Sequence, residues 1–197
     1  MSRYPRARFL RSAASPGDFG EDSGVEVAFV GRSNSGKSSA LNAIVQRKDL
    51  ARTSKTPGRT QFVNLFELEP GRRIADLPGY GHARVPATVR SAWERLMGAY
   101  FERRTSLAGV FLVVDCRRGV GVGDETMLAY ASARGLSTHV LLVKCDKLGR
   151  GAAKMALEQA RTALAPRATV QLFSAHSGEG VAAAQGTLDA LLDRKRT

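Results

Sequence analysis

Short apolar runs alternate with amphipathic stretches along most of this chain. Residues 25–30 form a mostly apolar run, predicted as a buried strand, and a Gly/Ser-rich loop leads from it into a helix over 37–46. Residues 61–69 alternate as a half-exposed strand does. Pro70-Gly71 marks a turn, and 72–77 reads as the returning strand of a hairpin. Residues 86–104 place Val89, Trp93, Leu96, Met97 and Tyr100 on one stripe of a long helix. Two short apolar runs, 110–114 and 140–143, have the character of central parallel strands and flank a helix near 124–134. A helix over 151–164 stops before Pro166, followed by a strand at 168–173 and a helix at 179–192.

Strands alternating with helices predict a three-layer α/β fold, with a mixed, mostly parallel sheet of six strands and helices on both faces. Two segments stand outside this pattern. Residues 12–24 are small, polar and rich in turn formers, as a linker is. Residues 47–60 are basic and lack apolar periodicity, and a loop of that length within a domain points to function or disorder. The expected organisation is a basic N-terminal extension and linker (1–24), one domain (25–193) and a basic tail (194–197).

Composition narrows the class. The 197 residues are 43% hydrophobic and 24% charged, which excludes a wholly disordered basic chain. The longest apolar run, 107–114, is far short of the roughly 18 residues that a membrane helix requires. No apolar segment follows the first basic residues, so no secretory signal is expected. Two cysteines, Cys116 and Cys145, cannot build a disulfide framework and suit a reducing compartment. A cytoplasmic location is the expectation.

The formal charge of +12 is unevenly placed. Arg3, Arg6, Arg8 and Arg11 at one end, with Arg194, Lys195 and Arg196 at the other, contribute +7. Residues 47–59 add +4 through Arg47, Lys48, Arg52, Lys55 and Arg59 against Asp49, and the remainder carries +1. Such clusters suit a polyanion such as RNA or DNA, bound with release of counterions. They also suit a merely solvated surface, and charge alone does not separate the two.

Gly31-Arg32-Ser33-Asn34-Ser35-Gly36-Lys37-Ser38 is a complete G-x-x-x-x-G-K-S between a strand and a helix. Its glycines let backbone N–H groups wrap a phosphate, and the helix start adds a positive dipole end. Lys37 supplies a point charge, and the Ser38 hydroxyl can reach Mg2+. Asp76-Leu77-Pro78-Gly79 closes the hairpin's second strand. Its acid can hold a Mg2+ shell through water, and its glycine can offer an N–H to a γ-phosphate. Lys144-Cys145-Asp146 follows a strand at the sheet edge where open α/β sheets bind ligands. Asp146 can accept from guanine N1–H and the 2-amino group, which adenine lacks. Ser174-Ala175 can present a backbone N–H to guanine O6. Thr56-Pro57-Gly58-Arg59-Thr60 closes the basic loop, where a threonine can meet both Mg2+ and the γ-phosphate.

Taken together, G-R-S-N-S-G-K-S at 31–38, S-K-T-P-G-R-T-Q at 54–61, D-L-P-G-Y-G at 76–81 and K-C-D-K at 144–147 resemble the EngB family (also called YihA or YsxC). These are P-loop GTPases of the TrmE-Era-EngA-EngB-Septin type, and the resemblance spans about residues 6–193. It implies a Ras-like fold, GTP and GDP binding with Mg2+, and slow hydrolysis. It further implies a partner in the large ribosomal subunit precursor and its RNA, and a link with septation and cell division. A monomer is expected.

Carried over residue by residue, the nucleotide would meet Gly31, Arg32, Ser33, Asn34, Ser35, Gly36, Lys37 and Ser38 in the first motif. The second motif would contribute Gly58, Arg59, Thr60, Gln61 and Phe62, and the third Asp76, Leu77, Pro78 and Gly79. The base would meet Val143, Lys144, Cys145 and Asp146, together with Phe173, Ser174 and Ala175. Mg2+ would be held by Ser38 and Thr60, with Asp76 acting through water. Lys37, Thr60, Gly79 and Asn34 would carry the catalytic roles. In related GTPases a P-loop asparagine can coordinate K+ when an aromatic residue replaces the water-orienting glutamine, and Asn34 and Tyr80 match those positions.

Val143 departs from the family's Thr or Asn, and Ala175-His176 departs in the last motif. His82 reads as an exposed loop residue, His139 and His176 as structural, Cys145 as a reduced thiol and Asp115 as a turn acceptor. A P-loop kinase and a basic RNA or division-site adaptor with a structural nucleotide are the rival readings.

Overall fold

Residues Leu107–Asp115 are buried at every position, which an apolar strand can satisfy only at the centre of a sheet covered on both faces. The computed structural model describes residues 3–51, 62–81 and 86–194 and builds a seven-stranded sheet around that strand. In chain order the strands are β1 (Arg8–Ala13), β2 (Val25–Gly31), β3 (Val63–Glu69), β4 (Arg72–Asp76), β5 (Leu107–Asp115), β6 (Ser137–Val143) and β7 (Thr169–Phe173). The helices are α1 (Lys37–Val45), α2 (Ala87–Arg103), α3 (Val122–Ala133), α4 (Arg150–Leu164) and α5 (Val181–Leu192).

The sheet order is β1-β3-β4-β2-β5-β6-β7. β3 pairs antiparallel with both β1 and β4, and the other neighbours are parallel. Side chains alternate between two cores. Val27, Phe29, Phe111 and Val113 point to the face covered by α1 and α5, where Phe29 and Phe111 stack with ring centroids 4.8 Å apart. Ala28, Val30, Val110 and Leu112 point to the face covered by α2, α3 and α4. The Trp93, Leu96, Met97 and Tyr100 stripe of α2 packs on this second face. Among the described residues no helix is long and apolar enough to cross a membrane.

The sheet has seven strands where the sequence pattern predicts six. The added strand is β1, inside the segment read as a basic extension. Its arginines hide it from an apolar pattern, because an edge strand has one side in water and is stabilised by cross-strand pairs. Arg8 Nη2 lies 2.5 Å from Glu67, its register partner, and Ser12 Oγ donates to Asn64 Oδ1 at 2.6 Å. The stretch before β1 is packed as well, with Tyr4 and Ala7 buried in the α1/α5 core. The segment read as a linker buries Phe19, which meets Tyr100 edge-on at 5.4 Å.

Candidate nucleotide-binding site

β2 ends at Gly31 and α1 begins at Lys37, so the loop between them lies at the carboxyl end of the parallel strands. Asn34 and Gly36 both have positive φ, 62° and 113°, which folds the loop back over the start of α1. A Cβ on Gly31 would sit 2.6 Å from the Val113 carbonyl, so only glycine passes there. Ser35 Oγ is buried without a hydrogen-bond partner. An unpaired buried hydroxyl and a helix N-terminus with free N–H groups suit a loop built to receive an anion.

Asp76 ends β4, two strands removed in sequence but adjacent to β2 in the sheet. Lys37 Nζ donates to the Asp76 carboxylate, and both side chains are largely buried. The lysine of the loop and the acid of D-L-P-G therefore meet at one point. Gly79 lies against the loop so closely that an added Cβ would be 2.6 Å from Ser33 Oγ and 3.0 Å from its Cα. Ser33 N–H donates to the Tyr80 carbonyl at 2.9 Å.

Tyr80 turns away from the loop. Its hydroxyl donates to Asp124 in α3, its ring packs edge-on against Trp93 at 6.1 Å, and the residue is buried. Burial and the Asp124 charge push the phenol well above its usual range. Trp93 Nε1 donates to the Pro78 carbonyl at 3.1 Å, fixing α2 to the same segment. Tyr80, Trp93 and Arg32 line a cavity of about 520 Å3 between α2, α3 and the loop.

The second half of the site comes from the ends of β6 and β7. Val143 is buried and Lys144 has a left-handed backbone, φ 63°. Lys144 Nζ donates to the Asn34 carbonyl at 2.9 Å and to Asp115 Oδ2 at 3.0 Å. Asp146 Oδ1 accepts from Ser174 Oγ at 2.6 Å, which, with Lys147 nearby, holds the carboxyl below its usual range. Ser174 Oγ in turn accepts from His176 N and Ser177 N at 3.2 and 3.1 Å, so the whole turn after β7 is tied to Asp146. Phe173 is buried beneath it and Ala175 is exposed. The Cys145 thiol donates to Glu179 at 3.4 Å. Burial, then that acid, push it up to about 12, as suits an inert thiol.

Ser38 is half-buried in the first turn of α1, Leu77 and Pro78 are buried, and Phe62 is 41% exposed at the head of β3. Thr56, Gly58, Arg59, Thr60, Gln61 and His82 lie outside the described residues. Among the described residues no cluster of three or more His, Cys, Asp or Glu side chains is poised for a metal. His139 is structural, its ring nitrogens 2.6 Å from Thr169 Oγ1 and 2.9 Å from Gln171 Oε1. Asp115 does accept from a turn N–H, that of Arg117 at 3.1 Å, but it also holds Lys144. That second role, and the part of Asp124 and Trp93 in placing Tyr80, are invisible in the sequence because their partners lie 29, 44 and 15 residues away.

Comparison with known proteins agrees with this geometry. Residues 26–144 match the family model described as 50S ribosome-binding GTPase. The "Probable GTP-binding protein EngB" of Nitrosococcus oceani is 50% identical over 191 residues, 95% of this chain and 96% of the relative. Its namesake in Coxiella burnetii is 46% identical over 181 residues, 90% of this chain and 88% of the relative. Among solved structures, a probable GTP-binding protein engB superposes with a TM-score of 0.69 at 19% identity, covering 87% of this chain and all of that one. Era in complex with MgGDPNP and nucleotides 1506–1542 of 16S ribosomal RNA superposes with a TM-score of 0.68 at 19% identity, covering 89% of this chain and 59% of that one. A strand–loop–helix phosphate cradle, an acid meeting its lysine and a serine-pinned aspartate at the neighbouring strand ends, joined to these relatives, show that the chain belongs to the EngB family of GTP-binding proteins and is a P-loop GTPase.

Proposed function

We propose that this GTPase is a Mg2+-dependent switch in assembly of the large ribosomal subunit, acting as a cytoplasmic monomer on which normal septation and cell division depend. The observation that carries the site assignment is the meeting of three sequence-distant groups at one sheet edge: the 31–38 loop, Asp76 and the Asp146–Ser174 pair. The description of the matched family, 50S ribosome-binding GTPase, supports the choice of partner.

In this reading the N–H groups of residues 33–38 and the ammonium of Lys37 hold the phosphates. Asp146 accepts from guanine N1–H and the 2-amino group, with Ser174 fixing the carboxylate and the Ala175 N–H facing O6. The unpaired Ser35 hydroxyl and the cradle under Gly31 and Gly79 fit a phosphate-bound Mg2+, which Ser38 and Thr60 would hold directly and Asp76 through water. Bound there, Mg2+ would neutralise charge on the β- and γ-phosphates. Thr60 and Gly79 would sense the γ-phosphate, so that its loss releases the segments that carry them. Tyr80, engaged with Asp124, is poorly placed to orient a water, which supports a low rate and charge supplied by K+ at Asn34, whose side chain is exposed at the loop. Equal turnover in K+ and Na+ buffers would remove that last element.

The test of the switch is co-sedimentation with ribosomal subunits in GDP, GTP and a non-hydrolysable analogue, at several salt concentrations. Binding to the large subunit should be strongest with the analogue and weaken with salt. Binding independent of the nucleotide refutes the switch.

A further inference from the structure

Asp115 sits at the carboxyl end of β5, paired in register with Val143, and is 6% exposed. Its Oδ1 accepts from Arg117 N and Nε at 3.1 and 2.9 Å, and its Oδ2 from Arg117 Nη2 and Lys144 Nζ at 2.7 and 3.0 Å. The same Lys144 ammonium reaches across to the Asn34 carbonyl of the phosphate loop at 2.9 Å. One carboxylate thus points the ammonium that joins the base loop to the phosphate loop. Val143 stands beside the same join. Its side chain lies against the phosphate loop, 3.7 Å from where a Cβ on Gly36 would stand, and it has no polar atom with which to make the join. The polar join is made by Lys144, a long side chain whose rotamer freedom must be restrained by something outside the loop. Burial alone would raise the Asp115 carboxyl, but Arg117 and Lys144 hold it well below the usual range, so it stays charged for that task.

We infer that Asp115 is a positioning residue for nucleotide retention: it fixes Lys144 against the phosphate loop. The inference rests on the guanine-site reading above, since it assigns Lys144 to the base loop of that site.

The experiment is a double-mutant cycle read by release of a fluorescent GDP analogue from the full chain. Asp115→Asn keeps an oxygen for the Arg117 turn but removes the charge from Lys144, and should speed release roughly tenfold, the worth of one hydrogen bond to a charged group. In a Lys144→Ala background the same change should add less than about twofold, because coupled residues are not additive. Arg117→Ala, which disturbs only the exposed partner of Asp115, should also stay within about twofold of the parent protein. Release at the parent rate in Asp115→Asn overturns the inference. So does full additivity in the cycle, or an Arg117→Ala effect as large as that of Asp115→Asn, because either would make the carboxylate a turn-former alone. Thermal midpoints of each variant separate a general loss of stability from faster release. Asp146→Asn, assayed with GDP and xanthosine diphosphate, keeps the two readings apart. A switch of preference to the xanthine nucleotide leaves the cycle to judge Asp115 alone. Retained preference for GDP defeats the base-site reading first, and the inference with it.

Discussion

Arg104→Ala tests how much a buried charge network contributes at the end of the sheet remote from the phosphates. Glu26, at the start of β2, is completely buried. Its Oε1 accepts from Arg104 Nε at 3.0 Å and from the Tyr100 hydroxyl at 2.6 Å, and its Oε2 accepts from Arg104 Nη2 at 3.1 Å. Arg104, 2% exposed, also donates to the Gly20 carbonyl at 3.1 Å and lies 3.7 Å from Asp22. Truncation removes the cation and leaves the carboxylate with one neutral donor. Breaking a buried pair from one side costs about 3–5 kcal/mol, whereas replacing both partners by apolar groups is often near neutral. Against a total stability of roughly 5–15 kcal/mol this is a large fraction, so Arg104→Ala should lower the urea midpoint substantially. The double variant Glu26→Leu/Arg104→Met should recover most of that loss. Urea denaturation at pH 7, followed by the fluorescence of Trp93 and by circular dichroism, measures both. A loss below about 1 kcal/mol for Arg104→Ala would refute the reasoning, because it would mean that water solvates Glu26 as soon as the guanidinium is gone.

Gly79→Ala forces a methyl against Ser33 Cα and N, at 3.0 and 3.1 Å, where only backbone could yield. It should cost about 1–3 kcal/mol, seen as a lowered thermal midpoint or as weaker binding of a GTP analogue, and no change in either contradicts the close approach. Tyr80→Phe should lower stability by about 1–3 kcal/mol, because the buried Asp124 loses its phenol donor, while GTP turnover measured by phosphate release stays within about twofold. A turnover loss of a hundredfold would instead place the hydroxyl at the reacting water. Stability should also fall on mild acidification. Burial holds His139 below its ordinary value of 6.5, with only the Gln171 bond opposing, so the unfolded chain binds the proton more readily. That contribution is complete above about pH 6.5 and is lost as pH falls towards the lowered folded value. His139→Gln should therefore flatten the urea midpoint between pH 7 and pH 5, and an unchanged slope would reject the assignment.

The parts of the fold legible in the sequence are those whose signal is local. The run at 107–114 needs no distant information to be read as a central strand, and the apolar stripe of α2 runs through Trp93, Leu96, Met97 and Tyr100 as its spacing predicts. The 31–38 loop is equally plain, since its glycines, lysine and serine stand in fixed order between β2 and α1. What escapes is whatever depends on a partner far along the chain. β1 carries Arg8 and Arg11 where an isolated strand should carry apolar residues, and only its register with Glu67 and Leu65 makes it a strand. The anchoring of the base loop is similar. Val143 departs from the family's Thr or Asn, and only the fold reveals that Asp115, from the neighbouring strand, accepts from Lys144.

The charge distribution changes meaning for the same reason. In the sequence Arg3 and Arg8 belong to a basic end that could trail free and search for a polyanion. In the fold Arg3 and the Tyr4 hydroxyl both engage Asp189 of α5, Arg8 engages Glu67, and Arg47 donates to the Pro5 carbonyl at 2.7 Å. Exposed pairs of this kind each contribute well under about 1 kcal/mol, so they do not by themselves explain the fold. Their effect is positional. Arg3 and Arg8 each meet a carboxylate at a fixed place, which offsets the charge they could offer to a phosphate backbone. The same contacts fasten the N-terminal segment across α1, the helix that opens at Lys37, and α5, which follows the turn after β7. With Tyr4 and Ala7 buried against α1 and α5, the segment from residue 3 to β1 is held in place and does not trail as an independent tether. If the proposed RNA partner meets this face, these arginines would be delivered in the fixed orientation of the sheet edge, so its recognition would be a matter of shape as well as charge.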